Sequence, residues 1–273
     1  LPVNFIDGMK INKRYFIDIQ NFVIDSVRDA IGVHTSMLTY GLLPTNDPVR
    51  INLSVDAHKY LRVRIEECHA ITPNGSRIEI SSNTEQHSLS LSYPEIVKEI
   101  KDEEVALLAC ISVNPFKRIP CGEPDPEENP PRDPYTEPEY YLSLVKEEEL
   151  RKEMGVGGHY LIVGKIWVSG TSSHLDESYI PPCVLVASYQ RLQELYSEID
   201  RFYGQMEIYA VQIAQKIHTK NQTNPLATII EQMTDRMLYY LATEINHFRW
   251  LTLYSTPSEM LVSVVGFARV LKN

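Results

Sequence analysis

The first clear pattern along the chain is a helical one. Apolar residues recur every three or four positions between residues 16 and 31, with charged residues between them. They are Phe16, Ile19, Val23, Val27 and Ile31. This spacing predicts an amphipathic helix close to the N-terminus.

The pattern then changes to short β-type runs separated by turn residues. Residues 60–65 and 77–80 alternate apolar and polar side chains on either side of the Pro-Asn-Gly-Ser turn at 73–76, which predicts a hairpin. Residues 105–113 and 160–168 are nearly continuous apolar runs, which are typical of buried strands.

Residues 115–138 contain eight prolines, and this density predicts a long surface loop because proline breaks helices and cannot donate to a strand ladder. Short strands with turn signals between them favour an antiparallel sandwich or barrel up to about residue 186.

The helical period returns after residue 186 and continues to the end of the sequence. It predicts a long helix over residues 189–220, roughly 50 Å long at about 1.5 Å per residue. The apolar stripe of this helix consists of Leu192, Leu195, Ile199, Phe202, Met206, Tyr209, Ile213 and Ile217. Asn224 and Pro225 begin a second helix as its N-cap and first residue, and a capping box at residues 256–259 begins a third.

The two patterns divide the chain into two predicted domains. At 273 residues it is near the size at which one hydrophobic core gives way to two. We predict a multi-domain α+β protein with an antiparallel β-sandwich and an N-terminal helix over residues 1–186, followed by an α-helical bundle over residues 187–273. The long stripe forms either an intramolecular core or an oligomer seam. We favour the seam because aromatic residues extend beyond one face.

Charge and cysteine usage narrow the functional classes. The net charge of −10 argues against nucleic-acid binding and against docking on an anionic membrane surface. No apolar stretch reaches 18 residues, so we expect no membrane insertion. The four cysteines lack the spacing of zinc or redox motifs, which predicts reduced thiols in a cytoplasmic protein.

The sequence carries no catalytic signature. The glycines at residues 155–158 and 164 lack phosphate-loop spacing. No two of the eight histidines have the i, i+4 spacing of a helical zinc site, and no nucleophile elbow is present. We therefore predict a protein that is not an enzyme, with no cofactor and no metal.

Four segments, in order, resemble TssK, the baseplate subunit of bacterial type VI secretion systems. Residues 5–16 resemble the opening of that family, an aromatic residue and then an acidic-Gly-Met triplet, but lack its Pro-Gln-His element. Tyr-Gly-Leu at 40–42 resembles its Trp-Gly-Leu, and the turn at 73–76 resembles its Pro-Asp-Gly-Thr. Tyr-Ile-Pro-Pro at 179–182 precedes the long helix as in the family. The departures indicate a divergent, Bacteroidetes-like branch.

The resemblance implies a phage-like structural protein that acts as a trimeric adaptor between the baseplate wedge and the membrane complex. The implied partners are further copies of this chain in a homotrimer, the wedge proteins TssF and TssG, and membrane-complex proteins reached through a C-terminal head that this sequence lacks. The implied location is the cytoplasmic side of the inner membrane. On this interpretation the long stripe is the trimer interface. The wedge contact, or the N-terminal anchor, is formed by Phe5, Gly8, Met9 and Phe16.

An alternative from a different class stays open. A β-sandwich of this kind also occurs in phage-tail receptor-binding modules, where a concave site rimmed with Tyr and Trp would recognise a carbohydrate. Binding to a glycan array would distinguish this alternative from the baseplate adaptor.

Overall fold

The fold is described from a computed structural model of the chain. The structure describes every residue except 1, 37, 56–60, 82–88, 94–103, 125, 148–157, 170–171, 221–223 and 273. The chain divides into two compact units, Leu1–Pro182 and Cys183–Asn273, which we call the β unit and the helical unit. The sequence pattern placed this division between residues 186 and 187.

The β unit contains one long helix and two antiparallel sheets among its described residues. Its helix is α1 (Lys13–Gly32). Its strands are β1 (Gly41–Leu42), β2 (Val49–Val55), β3 (Leu61–Ile71), β4 (Arg77–Ile80), β5 (Leu89–Tyr93), β6 (Val105–Cys121), β7 (Tyr135–Lys146), β8 (Tyr160–Ser169) and β9 (Ser172–Leu175). In the first sheet β3 is central and pairs with β1, β2, β4 and β5, and the second sheet has the order β7-β6-β8-β9.

The two sheets pack face to face. Leu61, Val63 and Ile65 of β3 are buried and the arginines between them are exposed, so one face of this sheet is covered. Gly164 of β8 lies against Ile51 of β2, because a Cβ on that glycine would be 2.7 Å from Cδ1 of Ile51. This close approach joins strands of different sheets, as in the core of a β-sandwich. The predicted α+β fold class is confirmed.

The predicted hairpin is present as β3 and β4, with Ala70 opposite Ile78. Its turn places Gly75 at φ 79°, a conformation that a side chain would strain. A Cβ at this position would also lie 3.0 Å from the carbonyl oxygen of Arg28. The turn therefore packs closely against the last turns of α1.

The proline-rich region differs from the predicted surface loop. The apolar strand β6 continues through Pro115 and Pro120 to Cys121, and β7 already begins at Tyr135. The ladder tolerates Pro115 because the β6–β7 register shifts between Asn114 and Arg118, so that this proline lies in a bulge with no donor required. The remaining loop is about half as long as predicted.

The helical unit contains the three predicted helices, which we number α2 (Gln190–Thr219), α3 (Pro225–Leu251) and α4 (Pro257–Lys272). The predicted caps are confirmed. Oδ1 of Asn224 accepts from the backbone N–H of Ala227 at 2.7 Å, and Thr256 and Glu259 form a reciprocal capping box. No helix within the described residues has both the length and the apolar character needed to cross a membrane.

Candidate protein–protein interfaces

Helix α1 presents an apolar stripe to solvent. Phe16, Val23 and Val27 are 57%, 52% and 51% exposed, and their separations of seven and four residues place them on one side of the helix. No residue of α1 is buried. We call these three residues the α1 stripe. Because a surface helix normally turns its apolar side to a core, the stripe is a candidate contact surface.

The four N-terminal residues singled out in the sequence lie in two places. Phe16 belongs to the α1 stripe. Phe5 packs edge to face on Tyr15, with the ring centroids 6.5 Å apart, and Met9 lines a cavity beside the same ring. Gly8 has φ 78° in a turn closed by a backbone hydrogen bond that the N–H of Met9 donates over 3.2 Å. Phe5 and Met9 therefore come together around Tyr15, whereas Phe16 faces solvent.

The cavity beside Tyr15 has a volume of about 460 Å³ and lies between the N-terminal segment, α1 and β6. Its wall combines aromatic rings with carboxylates. The residues that carry this character are Tyr15, Phe22, Phe116, Asp18 and Asp25. The guanidinium of Arg28 lies 5.5 Å from the centroid of the Phe116 ring and 3.5 Å from Asp25. Helix α1 and the distal part of β6 thus form one continuous surface.

A two-stranded arm extends from the second sheet. Among the described residues β6 pairs with β8 only as far as Ser112, and from Arg118 onward it pairs with β7 alone. The ribbon ends with Cys121 opposite Tyr135. We call residues 115–138 the arm. A two-stranded ribbon is only marginally stable in water without a further contact.

One face of the arm displays apolar side chains. Residues directly opposite each other share a face, so Ile119 lies beside Glu137 and Cys121 beside Tyr135. Ile119 is 39% exposed and Tyr135 is 71% exposed. The Tyr135 ring lies against Gly122, because its Cδ2 is 3.0 Å from the position of a Cβ on that glycine. The arm therefore carries an exposed aromatic ring.

The arm is strongly acidic. Residues 115–138 contain six acidic residues and three basic ones, Lys117, Arg118 and Arg132. The guanidinium of Arg132 binds Glu128, with a distance of 2.9 Å from Nη2 to Oε1. At the base of the arm, the ammonium of Lys117 lies 2.8 Å from Glu139 and holds the pKa of that carboxyl below its usual value. Two of the three cationic side chains of the arm, those of Lys117 and Arg132, are thus engaged by carboxylates.

The helical unit has an aromatic core of its own. Tyr203, Phe248 and Phe267, one from each helix, are 1%, 0% and 2% exposed. The Tyr203 ring centroid lies 5.2 Å from that of Phe248 and 5.4 Å from that of Phe267. The Tyr203 hydroxyl is 3.0 Å from Oγ of Ser263, and burial raises the pKa of Tyr203. Edge-to-face packing with a satisfied hydroxyl fixes the three helices together.

Helix α4 covers only part of the hairpin formed by α2 and α3. Its 16 residues span about 24 Å, whereas the 30 residues of α2 span about 45 Å. Arg269 and Val270, near the end of α4, line a cavity with Arg236 of α3, which marks how far α4 reaches. Beyond that level lies an open groove of about 290 Å³. We call it the distal groove. Its apolar wall is formed by Ile213, Ile217, Leu226 and Ile230.

The long stripe predicted on α2 is divided between two environments. Leu192 is 4% exposed and belongs to the core of the unit. The half-buried members are Leu195, Ile199, Met206 and Ile217. Phe202, Tyr209 and Ile213 are 44%, 55% and 39% exposed and lie on one side of the helix. We call these three the α2 stripe, and it leads into the distal groove.

The described residues form contact surfaces and not metal or reactive-thiol sites. They include no group of three or more His, Cys, Asp or Glu side chains that could hold a metal ion. Burial raises the pKa of three thiols to about 12, so they are protonated at neutral pH and are poor nucleophiles. These are Cys68, Cys110 and Cys183. Residues 155–157 of the glycine cluster lie outside the described residues.

Comparison with solved structures places the fold. The chain matches a crystal structure of TssK with a TM-score of 0.61 at 15% sequence identity, over 97% of this chain and 60% of that one. It matches a chain of the type VI secretion TssK-TssF-TssG baseplate subcomplex with a TM-score of 0.56 at 9% identity, over 99% of this chain and 87% of that one. A chain of the type VI secretion baseplate complex gives 0.60 at 10% identity, with the same two coverages.

These likenesses show that the chain has the TssK fold in both of its units. It spans 60% of the length of the TssK chain in the crystal structure. No family model and no curated protein matches the sequence.

Proposed function

We propose that this chain is a TssK-type structural subunit of a type VI secretion baseplate, where it acts as a trimeric adaptor between the wedge and the membrane complex. The observation that carries the proposal is the shared fold, which extends over 97% of the chain despite 15% identity. The four motif segments between residues 5 and 182 support the same family independently, because they concern residue identity and not the path of the backbone.

The role we propose is structural and not enzymatic. The matched proteins are parts of a baseplate assembly. The three buried thiols are held protonated, and the conspicuous features of the described surface are apolar stripes and an acidic arm. We propose that the protein works at the cytoplasmic side of the inner membrane. Contact with the membrane complex would be made by a C-terminal head domain, as the family resemblance implies.

The trimer contact that we propose consists of the α2 stripe and the distal groove. Both are apolar and open within one chain, and the distal groove lies where α4 is too short to cover the hairpin. A second copy of the chain would supply the missing cover, and three copies close into a ring without leaving an unmatched surface. Such an arrangement gives the long stripe two functions, because Leu192 packs inside the unit while Phe202, Tyr209 and Ile213 pack between units.

The wedge contact that we propose is centred on the α1 stripe. Its partners would be TssF and TssG, with which TssK is assembled in the baseplate subcomplex. Phe5 and Met9, which pack around Tyr15, would fix the N-terminal segment beside α1 and so shape the surface. This divides the predicted N-terminal residues into one that contacts the partner, Phe16, and two that support it.

Two measurements test the proposal. Light scattering after size exclusion should give a mass near three times 31.3 kDa, and the protein should bind the TssF–TssG complex of the same organism. A monomer at every concentration that also fails to bind this complex would contradict the baseplate role. The carbohydrate-binding alternative stays a prediction that a glycan array would test. Among the described residues of the β unit, the indole N–H of Trp167 donates to Asp176 over 3.0 Å, so that tryptophan is engaged within the chain.

A further inference from the structure

We propose that the arm is a second docking element for the wedge, which inserts Tyr135 into an apolar pocket surrounded by positive charge on the partner protein. The identity of the partner rests on the proposed function. The chemistry of the partner surface follows from the exposed ring of the arm, its negative charge and its continuity with α1.

The arm presents its aromatic ring in a form suited to binding. Tyr135 is 71% exposed, and its ring packs over Gly122 on one side, so a partner can cover the other side of the ring. Ile119 lies on the same face and adds an apolar contact beside the ring. Tyrosine is among the residues that contribute most to protein interfaces when it is buried at their centre.

The charge of the arm selects the partner. The arm has six acidic and three basic residues, and carboxylates bind two of the basic ones, Lys117 and Arg132, so its charge is negative overall. The arm of a second copy is a poor occupant, because two acidic surfaces repel each other. A partner with Lys and Arg around an apolar pocket would gain favourable contacts and faster association.

The arm is also continuous with the proposed wedge contact. Phe116, at the base of the arm, lines the cavity beside α1 together with Tyr15 and Phe22. The guanidinium of Arg28, on α1, lies over the Phe116 ring. A partner seated on the α1 stripe would therefore reach the arm across a shared wall, and the two contacts would act as one bivalent surface.

The test measures binding of the full chain to the TssF–TssG complex of the same organism by interferometry. Tyr135→Ala should weaken binding by about tenfold or more, and Tyr135→Phe should keep most of it, because the ring supplies the contact. The double variant Glu123→Gln/Asp133→Asn should slow association by several fold and flatten its dependence on salt. It changes no apolar packing, so it tests the arm even if Tyr135→Ala disturbs the ribbon.

Matched controls lie on the helical unit. Tyr254, 69% exposed, is the control for the ring through Tyr254→Ala, and the pair Glu198→Gln/Glu207→Gln is the control for charge. If the wild-type chain does not bind TssF–TssG, the proposed function fails. If the wild type binds and Val23→Glu on the α1 stripe weakens it, but both arm variants bind like their controls, the arm has no docking role and the inference is refuted while the function stands.

Discussion

Replacing Ile213 by Glu separates the proposed trimer seam from the core of the helical unit. Ile213 is 39% exposed and lies where the α2 stripe meets the distal groove. In a single chain the new carboxylate can turn to solvent, so the unit should stay folded. In the proposed trimer a neighbouring copy covers the position, and the carboxylate is buried without a partner.

The exposed area of the α2 stripe sets the magnitude. Phe202, Tyr209 and Ile213 are 44%, 55% and 39% exposed. With about 200 Å² for each side chain, roughly 275 Å² per copy remains to be covered. At about 25 cal/mol per Å² its burial stabilises the assembly by about 7 kcal/mol per copy before association costs. Burial of an unpaired carboxylate costs at least about 3 kcal/mol, which weakens association by more than about 100-fold per copy.

Ile208→Glu is the matched control. Ile208 is 56% exposed and lies on the same helix, five residues earlier and about 140° around its axis from Ile213. The same charge is therefore introduced in the same helix but outside the stripe. Light scattering over a range of protein concentrations should give a trimer for the wild type and for Ile208→Glu, and a monomer for Ile213→Glu. Far-ultraviolet circular dichroism should be equal for all three.

Two outcomes would contradict the proposed trimer seam. If Ile213→Glu forms a trimer that dissociates at the same concentration as the wild type, the α2 stripe and the distal groove are not the seam. If both variants become monomeric, the charge acts through the whole surface and the assignment to one side of α2 is wrong.

Three further predictions concern other surfaces and the core. Val23→Glu on the α1 stripe should leave the melting temperature unchanged, because Val23 is 52% exposed, but should weaken binding to TssF–TssG; retained affinity in a binding titration would contradict the wedge assignment. Tyr203→Phe should lower the free energy of unfolding by about 1–2 kcal/mol, since it leaves the hydroxyl of the buried Ser263 without this partner, whereas Tyr239→Phe, 77% exposed, should change it by less than about 0.5 kcal/mol in the same urea titration. Burial raises the pKa of three thiols from 9.0 to about 12. The neutral thiols therefore stabilise the fold fully below about pH 9, and this stabilisation is lost as the pH rises toward 12. A melting temperature that does not fall between pH 9 and 12 would contradict this prediction. The three thiols are those of Cys68, Cys110 and Cys183.

Local signals in the sequence determined the helices and most of the strands. The N-cap at Asn224 and the capping box at Thr256 and Glu259 act within one turn of the chain, so their effect can be read without knowing the fold. The apolar run that became β6 is similarly explicit, because nine neighbouring residues of this kind need a buried environment.

The arm could not be predicted from composition. Eight prolines between residues 115 and 138 argued for a loop, but a strand tolerates proline where the ladder asks for no donor. That condition depends on a register shift between Asn114 and Arg118, which is set by the partner strand β7. The exposed ring of Tyr135 follows from the same pairing, so no pattern along the chain predicted it.

Which side of each helix is buried was likewise decided only by the tertiary structure. The periodicity selected Phe202, although its neighbour Tyr203 is the residue in the core. An adjacent stripe through Tyr196, Tyr203 and Ala210 has the same period. The sequence by itself thus determined that α2 has more than one apolar side. The tertiary structure decided that Tyr203 packs in the core against Phe248 and Phe267 while Phe202 stays 44% exposed beside it. It also decided that the distal groove stays open, because a third helix of about 24 Å cannot cover a hairpin of about 45 Å.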